Sequence, residues 1–212
     1  MNTPPIPPAA ATLAAALIAD EEGLRLSRYY DAVGGVWSIG FGFCTLADGS
    51  PVTAHTMPLT AAQCDALLAT KLAQDYMPGV QRVMACPMTT GQFAALTSFA
   101  YNLGIGTLAH SAIPRLGQAG AWSGVVSAMQ AYNRASGQVC ADLVGRRRRE
   151  GAVLMGQTFI AGKRTGGALG TLSAPVQQQL HAGPAPARTP GMMRPVVGAP
   201  QPGADALMDK YE

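Results

Sequence analysis

Glu22 and Asp31 are the residues whose types and spacing could do chemistry. Glu22 closes the helical pattern ATLAAALIADEE, and Asp31 follows nine residues later, where the glycine-rich stretch DAVGGVWSIGFG begins. A helix end followed by a strand can set two carboxylates across a cleft. Two carboxylates flanking one bond are the minimum equipment for glycoside hydrolysis. One stays protonated to give a proton to the leaving oxygen, and the other stays ionised to activate a water or to stabilise positive charge on the sugar. Apolar neighbours raise the pKa of the first, and a polar, wetter setting keeps the second charged. Acidic pairs at such spacings are common on solvated surfaces, so the pair alone is a weak pointer.

The flanking segments supply elements that position such a pair. Leu13, Leu17 and Ile18 lie at helical spacing, which predicts a helix beginning after Pro8 and ending near Glu22. SRYYDAVGGVWSIGFGFCT carries glycines among aromatic and β-branched residues, the pattern of short strands joined by tight turns. Further on, Thr60 with Gln63 reads as a capping box, followed by a stripe of Cys64, Leu67, Leu68, Leu72 and Tyr76. Thr89 or Thr90 caps a helix lined by Phe93, Leu96, Phe99, Ala100 and Leu103, which Gly104 ends. SAIPRLGQAG, AWSGVVSAMQAYNRA and ADLVGRRRREGAVLMGQ read as three more helical pieces. The expected fold class is α+β, a small β-hairpin lobe followed by a larger helical lobe.

Composition divides the chain. Residues 161–212 hold eight Gly and seven Pro and show no hydrophobic period, as flexible segments do; only ADALMDKYE at the end suggests a short amphipathic helix. The expected organisation is therefore an arm over 1–8, a compact domain over 9–160 and a Gly/Pro-rich tail over 161–212. The net charge is +3 over the 212 residues, of which +1 falls in residues 1–160 and +2 in the tail. This mild basicity suits an acidic polymer without choosing among nucleic acid, membrane and cell wall. Cys44, Cys64, Cys86 and Cys140 form no CxxC pair, which argues against a structural zinc site; buried free thiols are favoured over two disulfides. His55, His110 and His181 are far apart, and neither a metal nor a cofactor is expected. The start of the chain lacks the basic residues of a secretory signal, and no apolar run reaches transmembrane length.

At the acid pair the sequence resembles a known family. EGLRLSRYYDAVGGVWSIGFG is similar to the catalytic stretch of phage lysozymes, the endolysins of the T4-lysozyme type (glycoside hydrolase family 24). LTAAQCDALLATKLA, MTTGQFAALTSFAYNLGIG and AYNRASGQVCADLVGRRRRE resemble later motifs of the family in the same order, so the likeness runs from about residue 12 to 157. The resemblance implies a lysozyme-like fold and a muramidase acting on the glycan strand of bacterial peptidoglycan. It would hydrolyse the β-1,4 bond between N-acetylmuramic acid and N-acetylglucosamine with inversion. Glu22 matches the general acid, and Asp31 the carboxylate that holds the attacking water. Ser38 stands for the family's threonine, whose hydroxyl also binds that water. Asn102 matches a polar position facing the sugar cleft, and Arg146 and Arg147 match a double arginine followed by Glu150. Trp37 could stack on a sugar ring, although a core position is the commoner fate of such a tryptophan.

Three departures accompany the likeness. The step from Asp31 to Ser38 is one residue longer than usual, with the extra residue in Val33-Gly34-Gly35, where glycine tolerates a longer turn. Phe43 stands where histidine is usual. Tyr132 replaces a tryptophan and Asp142 a glycine. Glu21, Arg148 and Arg149 read as solvated charges, while Arg146 and Arg147 divide evenly between an ion pair and a role near the acids. The expected setting is a monomer with no nucleic-acid partner, which either accumulates in a host cytoplasm and reaches the wall through a holin-dependent route or is carried by the virion and used at entry. The rival readings are a lytic transglycosylase, which needs one acid and no water-activating carboxylate, and a non-catalytic wall-binding or virion protein.

Overall fold

The computed structural model describes residues 4–161 apart from Val33 and Ser136; the C-terminal helix expected at ADALMDKYE and the rest of the tail lie outside the described residues. Helix α1 (Ala10–Glu22) leads straight into an antiparallel hairpin, β1 (Arg25–Asp31) and β2 (Val36–Gly40). α2 (Ala61–Lys71), a π turn (Leu72–Tyr76) and α3 (Met77–Met84) form one continuous helical rod. α4 (Thr90–Leu103), α5 (Ile105–Ala109), α6 (Ile113–Gln118) and α7 (Trp122–Gln130) follow. A short second hairpin, β3 (Arg134–Ala135) with β4 (Gln138–Val139), precedes α8 (Ala141–Leu154). The expected α+β arrangement, one small hairpin lobe on a larger helical lobe, is the one formed.

The capping box expected at Thr60 is present, and Thr89, one of the two expected caps of α4, forms a second with Gln92. The Thr60 and Thr89 hydroxyls accept from the backbone of Gln63 and Gln92, whose side chains return to the cap backbone, so each helix starts where its sequence signal stands. The π turn has a local cause. Pro78 has no N–H to give the carbonyl four residues back, and Met77 N–H instead reaches Leu72 O, one residue further. The second hairpin corrects an expectation, because AYNRA was read as the end of a helix. α7 stops at Gln130, and Gly137, with φ of 77°, turns the chain back so that Arg134 faces Val139.

The core is centred on α4, which is buried continuously from Phe93 to Leu103 and packs against α1 and α8. Such burial on every side is what a central helix with almost no charge can tolerate. Gly91 lets α8 come close, since a Cβ there would run into the carbonyl oxygen of Val153. Backbone cannot step aside as a side-chain tip can, so Gly91→Ala is expected to cost about 1–3 kcal/mol. A thermal melt should show it as a Tm lowered by several degrees; an unchanged Tm would mean that this contact does not set the α4–α8 spacing.

Candidate active site

Glu22 is the last residue of α1, where the helix stops against Gly23. Its side chain is 18 % exposed, and Arg146 Nη1 donates to Oε1 at 2.6 Å. Oε2 lies near Gly42, 3.7 Å from where a Cβ of that residue would stand, so the absence of a side chain keeps this approach open. Beneath Glu22, the Tyr101 hydroxyl donates to Phe41 O at 2.8 Å, joining α4 to the segment after β2. Burial first, and then the charge of Glu22, hold the Tyr101 phenol well above its ordinary pKa, so it stays a neutral donor.

The hairpin register places the other candidates. Tyr29 faces Ser38, Tyr30 faces Trp37 and Asp31 faces Val36. Since side chains alternate across a strand, Tyr29, Asp31 and Ser38 share one face, while Tyr30 and Trp37 occupy the other. Trp37 pairs edge-on with Tyr30 at 5.4 Å between ring centroids. A sugar-stacking role beside Asp31 and Ser38, one of the two expectations for Trp37, therefore does not fit: it lies on the opposite face. The long turn between the strands is closed by Gly35 N–H donating to Asp31 O at 2.7 Å. Within it, the Asp31 carboxylate lies against Gly34, where a Cβ would come within 2.7 Å of Oδ2. The added glycine-rich turn thus makes room for the carboxylate. Gly34→Ala should push Asp31 aside and lower turnover of a glycan substrate by about tenfold or more, with little change in Tm. Unchanged turnover would show that Asp31 is not held by this contact.

Ser38 is 3 % exposed and stands directly opposite Tyr29 in the hairpin register. Tyr29 was not among the residues expected from the sequence. Arg25 stacks on its ring, with Cζ 4.4 Å from the centroid. Burial raises the Tyr29 pKa, Arg25 opposes the rise, and both Glu22 and Asp31 add to it. The phenol thus feels both carboxylates at once.

Behind Glu22, α8 carries four consecutive arginines that α-helical geometry sends in different directions. Arg146 is buried and bridges Glu22 and Glu150, with Nε 3.1 Å from Glu150 Oε1. Burial disfavours its charge, but Glu22 and Glu150 more than offset this and hold its pKa above the ordinary value. Ser98 Oγ donates to Glu150 Oε1 at 2.7 Å, so α4, α8 and the end of α1 meet in one polar network.

Two expectations are corrected here. Arg147 is 1 % exposed and does not face a cleft; its Nε lies 3.1 Å from Glu150 Oε2, and its guanidinium packs over the Phe99 ring at 4.8 Å. Burial pushes Arg147 down to about 10, with Glu150 opposing the fall. Asn102, 7 % exposed, turns inward, and its Oδ1 accepts from Arg147 Nη2 at 2.8 Å, which makes it part of this network rather than of a sugar-facing surface. Glu21 and Arg149 are paired with each other rather than standing alone in solvent: Arg149, still partly exposed, donates from Nε and Nη2 to the two Glu21 oxygens at 2.5 and 2.6 Å. The bidentate geometry pins α1 to α8 beside the Glu22–Arg146 pair. Arg148 alone of the run is exposed, as expected.

Phe43, in place of a histidine, is fully buried and meets Phe41 edge-on, so this position holds the segment after β2 by apolar packing instead of an ionic tie. All four cysteines carry free thiols; burial raises Cys64 to about 11, which keeps it an unreactive thiol.

Comparison with known proteins places the chain among relatives. Residues 19–150 match the family model described as phage lysozyme. The chain is 32 % identical over 136 residues to an endolysin of Bacillus phage B103, a match covering 63 % of this chain and 49 % of that protein. The chain thus spans about half the length of that relative. Among solved structures, an endolysin from Escherichia coli O157:H7 phage FAHEc1 superposes with a TM-score of 0.56 at 28 % identity, covering 76 % of this chain and 97 % of that one. The muramidase domain of SpmX from Asticaccaulis excentricus gives 0.58 at 29 % identity, covering 67 % and 94 %. With a carboxylate at the end of its first helix, a second on the adjoining hairpin and the family match running across both, the chain belongs to the phage lysozyme family.

Proposed function

We propose that the chain is a muramidase of the endolysin type, hydrolysing the β-1,4 bond between N-acetylmuramic acid and N-acetylglucosamine in bacterial peptidoglycan. The observation that carries this reading is the Glu22 carboxyl, fixed through Oε1 by Arg146, at the junction of α1 with the hairpin that bears Asp31. In the reaction Glu22 gives its proton to the glycosidic oxygen as the bond to the anomeric carbon breaks and positive charge develops on the muramic ring. A water held by Asp31 attacks the opposite face and passes a proton to that carboxylate, which inverts the anomeric centre. The SpmX neighbour, described as a muramidase domain, supports the substrate class.

The proposed setting is a monomer in the host cytoplasm, reaching the wall when a holin opens the membrane and lysing the host. The test is release of soluble fragments from purified, dye-labelled peptidoglycan by the full chain. Release at catalytic enzyme concentration supports the reading; binding without release would replace it with a wall-binding role.

A further inference from the structure

We propose that Tyr101 is a positioning residue of this reaction, its hydroxyl fixing the Phe41–Gly42 backbone against the proton-bearing oxygen of Glu22. The inference rests on the muramidase reading and concerns a residue outside the matched acid, carboxylate and hydroxyl. Arg146 Nη1 donates to Glu22 Oε1 at 2.6 Å, and an oxygen in so short a charge-assisted bond keeps its electron pairs for that donor. The catalytic proton therefore belongs to Oε2, the oxygen that lies 3.7 Å from where a Cβ of Gly42 would stand. A glycosidic oxygen that takes this proton must come within hydrogen-bond reach of Oε2, so the backbone at Gly42 walls its approach.

That wall is a short loop. Ile39 and Phe43 exchange both backbone hydrogen bonds, at 2.9 and 2.8 Å, and close its base. Between them Gly40 and Gly42, at φ of 66° and 87°, turn the chain about Phe41. The bonds at the base leave the peptide unit after Phe41 free to rotate. The Tyr101 hydroxyl removes that freedom by donating to Phe41 O at 2.8 Å. The donor is itself held: Tyr101 is buried near the end of α4, and its ring packs on that of Tyr76 at 5.0 Å between centroids. Phe41 O and Gly42 N belong to one planar peptide unit, so any turning of that unit moves the Gly42 backbone beside Oε2. A displacement of about 1 Å at reacting atoms can lower a rate by about a hundredfold, and a loosened loop gives a part of that.

Tyr101→Phe keeps the ring and the Tyr76 contact and removes only the hydroxyl. Measured on purified peptidoglycan well below the Tm, kcat should fall about tenfold with KM within about twofold. Phe41 O is left without this donor, so Tm should also fall by a few degrees. Gly91→Ala, ten residues earlier on α4, separates the two effects, because it should lower Tm by a similar amount and keep the parent kcat. Full kcat in Tyr101→Phe, or an equal fall in Gly91→Ala, would overturn the proposal. The bond has a readout that does not depend on activity. The carbonyl carbon-13 resonance of Phe41 should move upfield in Tyr101→Phe, as a carbonyl does on losing a donor; an unmoved resonance would overturn the tie. A parent chain inactive on peptidoglycan would overturn the muramidase reading, whereas an active parent with an unchanged Tyr101→Phe overturns the role of Tyr101 alone.

Discussion

Glu22→Gln is expected to lower turnover of peptidoglycan by about a thousandfold or more while leaving the fold intact. General acid catalysis contributes about 10²–10⁴ to such rates. Here the leaving sugar oxygen is too basic to depart without a proton, so the larger figure applies. The variant is close to isosteric: the Gln amide oxygen can still accept from Arg146 Nη1, where Oε1 does now. Arg146 also keeps Glu150 and the Ser98 carbonyl, so its buried charge is not abandoned. Turnover and a thermal melt on the same preparation separate the two effects. An inactive chain with a Tm within a few degrees of the parent is the expected pair of results. Full activity would remove Glu22 from the acid role.

The second large effect is expected at Glu150, which has no catalytic role. It is fully buried and serves Arg146, Arg147 and the Ser98 hydroxyl at once. Removing one member of a buried ionic network strands the others, at a cost of about 3–5 kcal/mol. Glu150→Ala leaves two buried guanidinium groups facing each other without their shared counter-charge. In a chain of this size that corresponds to a Tm lower by roughly 10 °C or more. Urea denaturation should give a matching loss of stability, and activity should fall too, since Arg146 would lose the group that fixes it behind Glu22. A change below about 1 kcal/mol would contradict the view that this network holds α8 against α4.

The parts of the fold with local causes were legible in the sequence. Thr60 with Gln63 announces α2 because a capping box is completed within four residues, and the two threonines Thr89 and Thr90 mark the start of α4 for the same local reason. The end of α1 at Glu22 is equally local, because Gly23 stops the helix. The arginine run was not legible. Which of its members is paired depends on acids far along the chain: Glu21 lies 128 residues from Arg149, and Glu22 lies 124 from Arg146. The inward turn of Asn102 follows from the burial of Arg147 and was hidden for the same reason. β3 and β4, two residues each, are too short to show a period of two. Tyr29 read as one more aromatic in a strand until the register put Ser38 opposite it.

In the proposed reaction Glu22 and Asp31 together carry out hydrolysis at the muramic side of the glycan bond. The most direct test is the identity of the new chain ends when the full chain digests purified peptidoglycan, read by mass spectrometry of the released fragments. Reducing N-acetylmuramic acid ends are expected, each carrying one oxygen from water when the digestion is run in oxygen-18 water. Ends in the 1,6-anhydro form, or reducing N-acetylglucosamine ends, would contradict it.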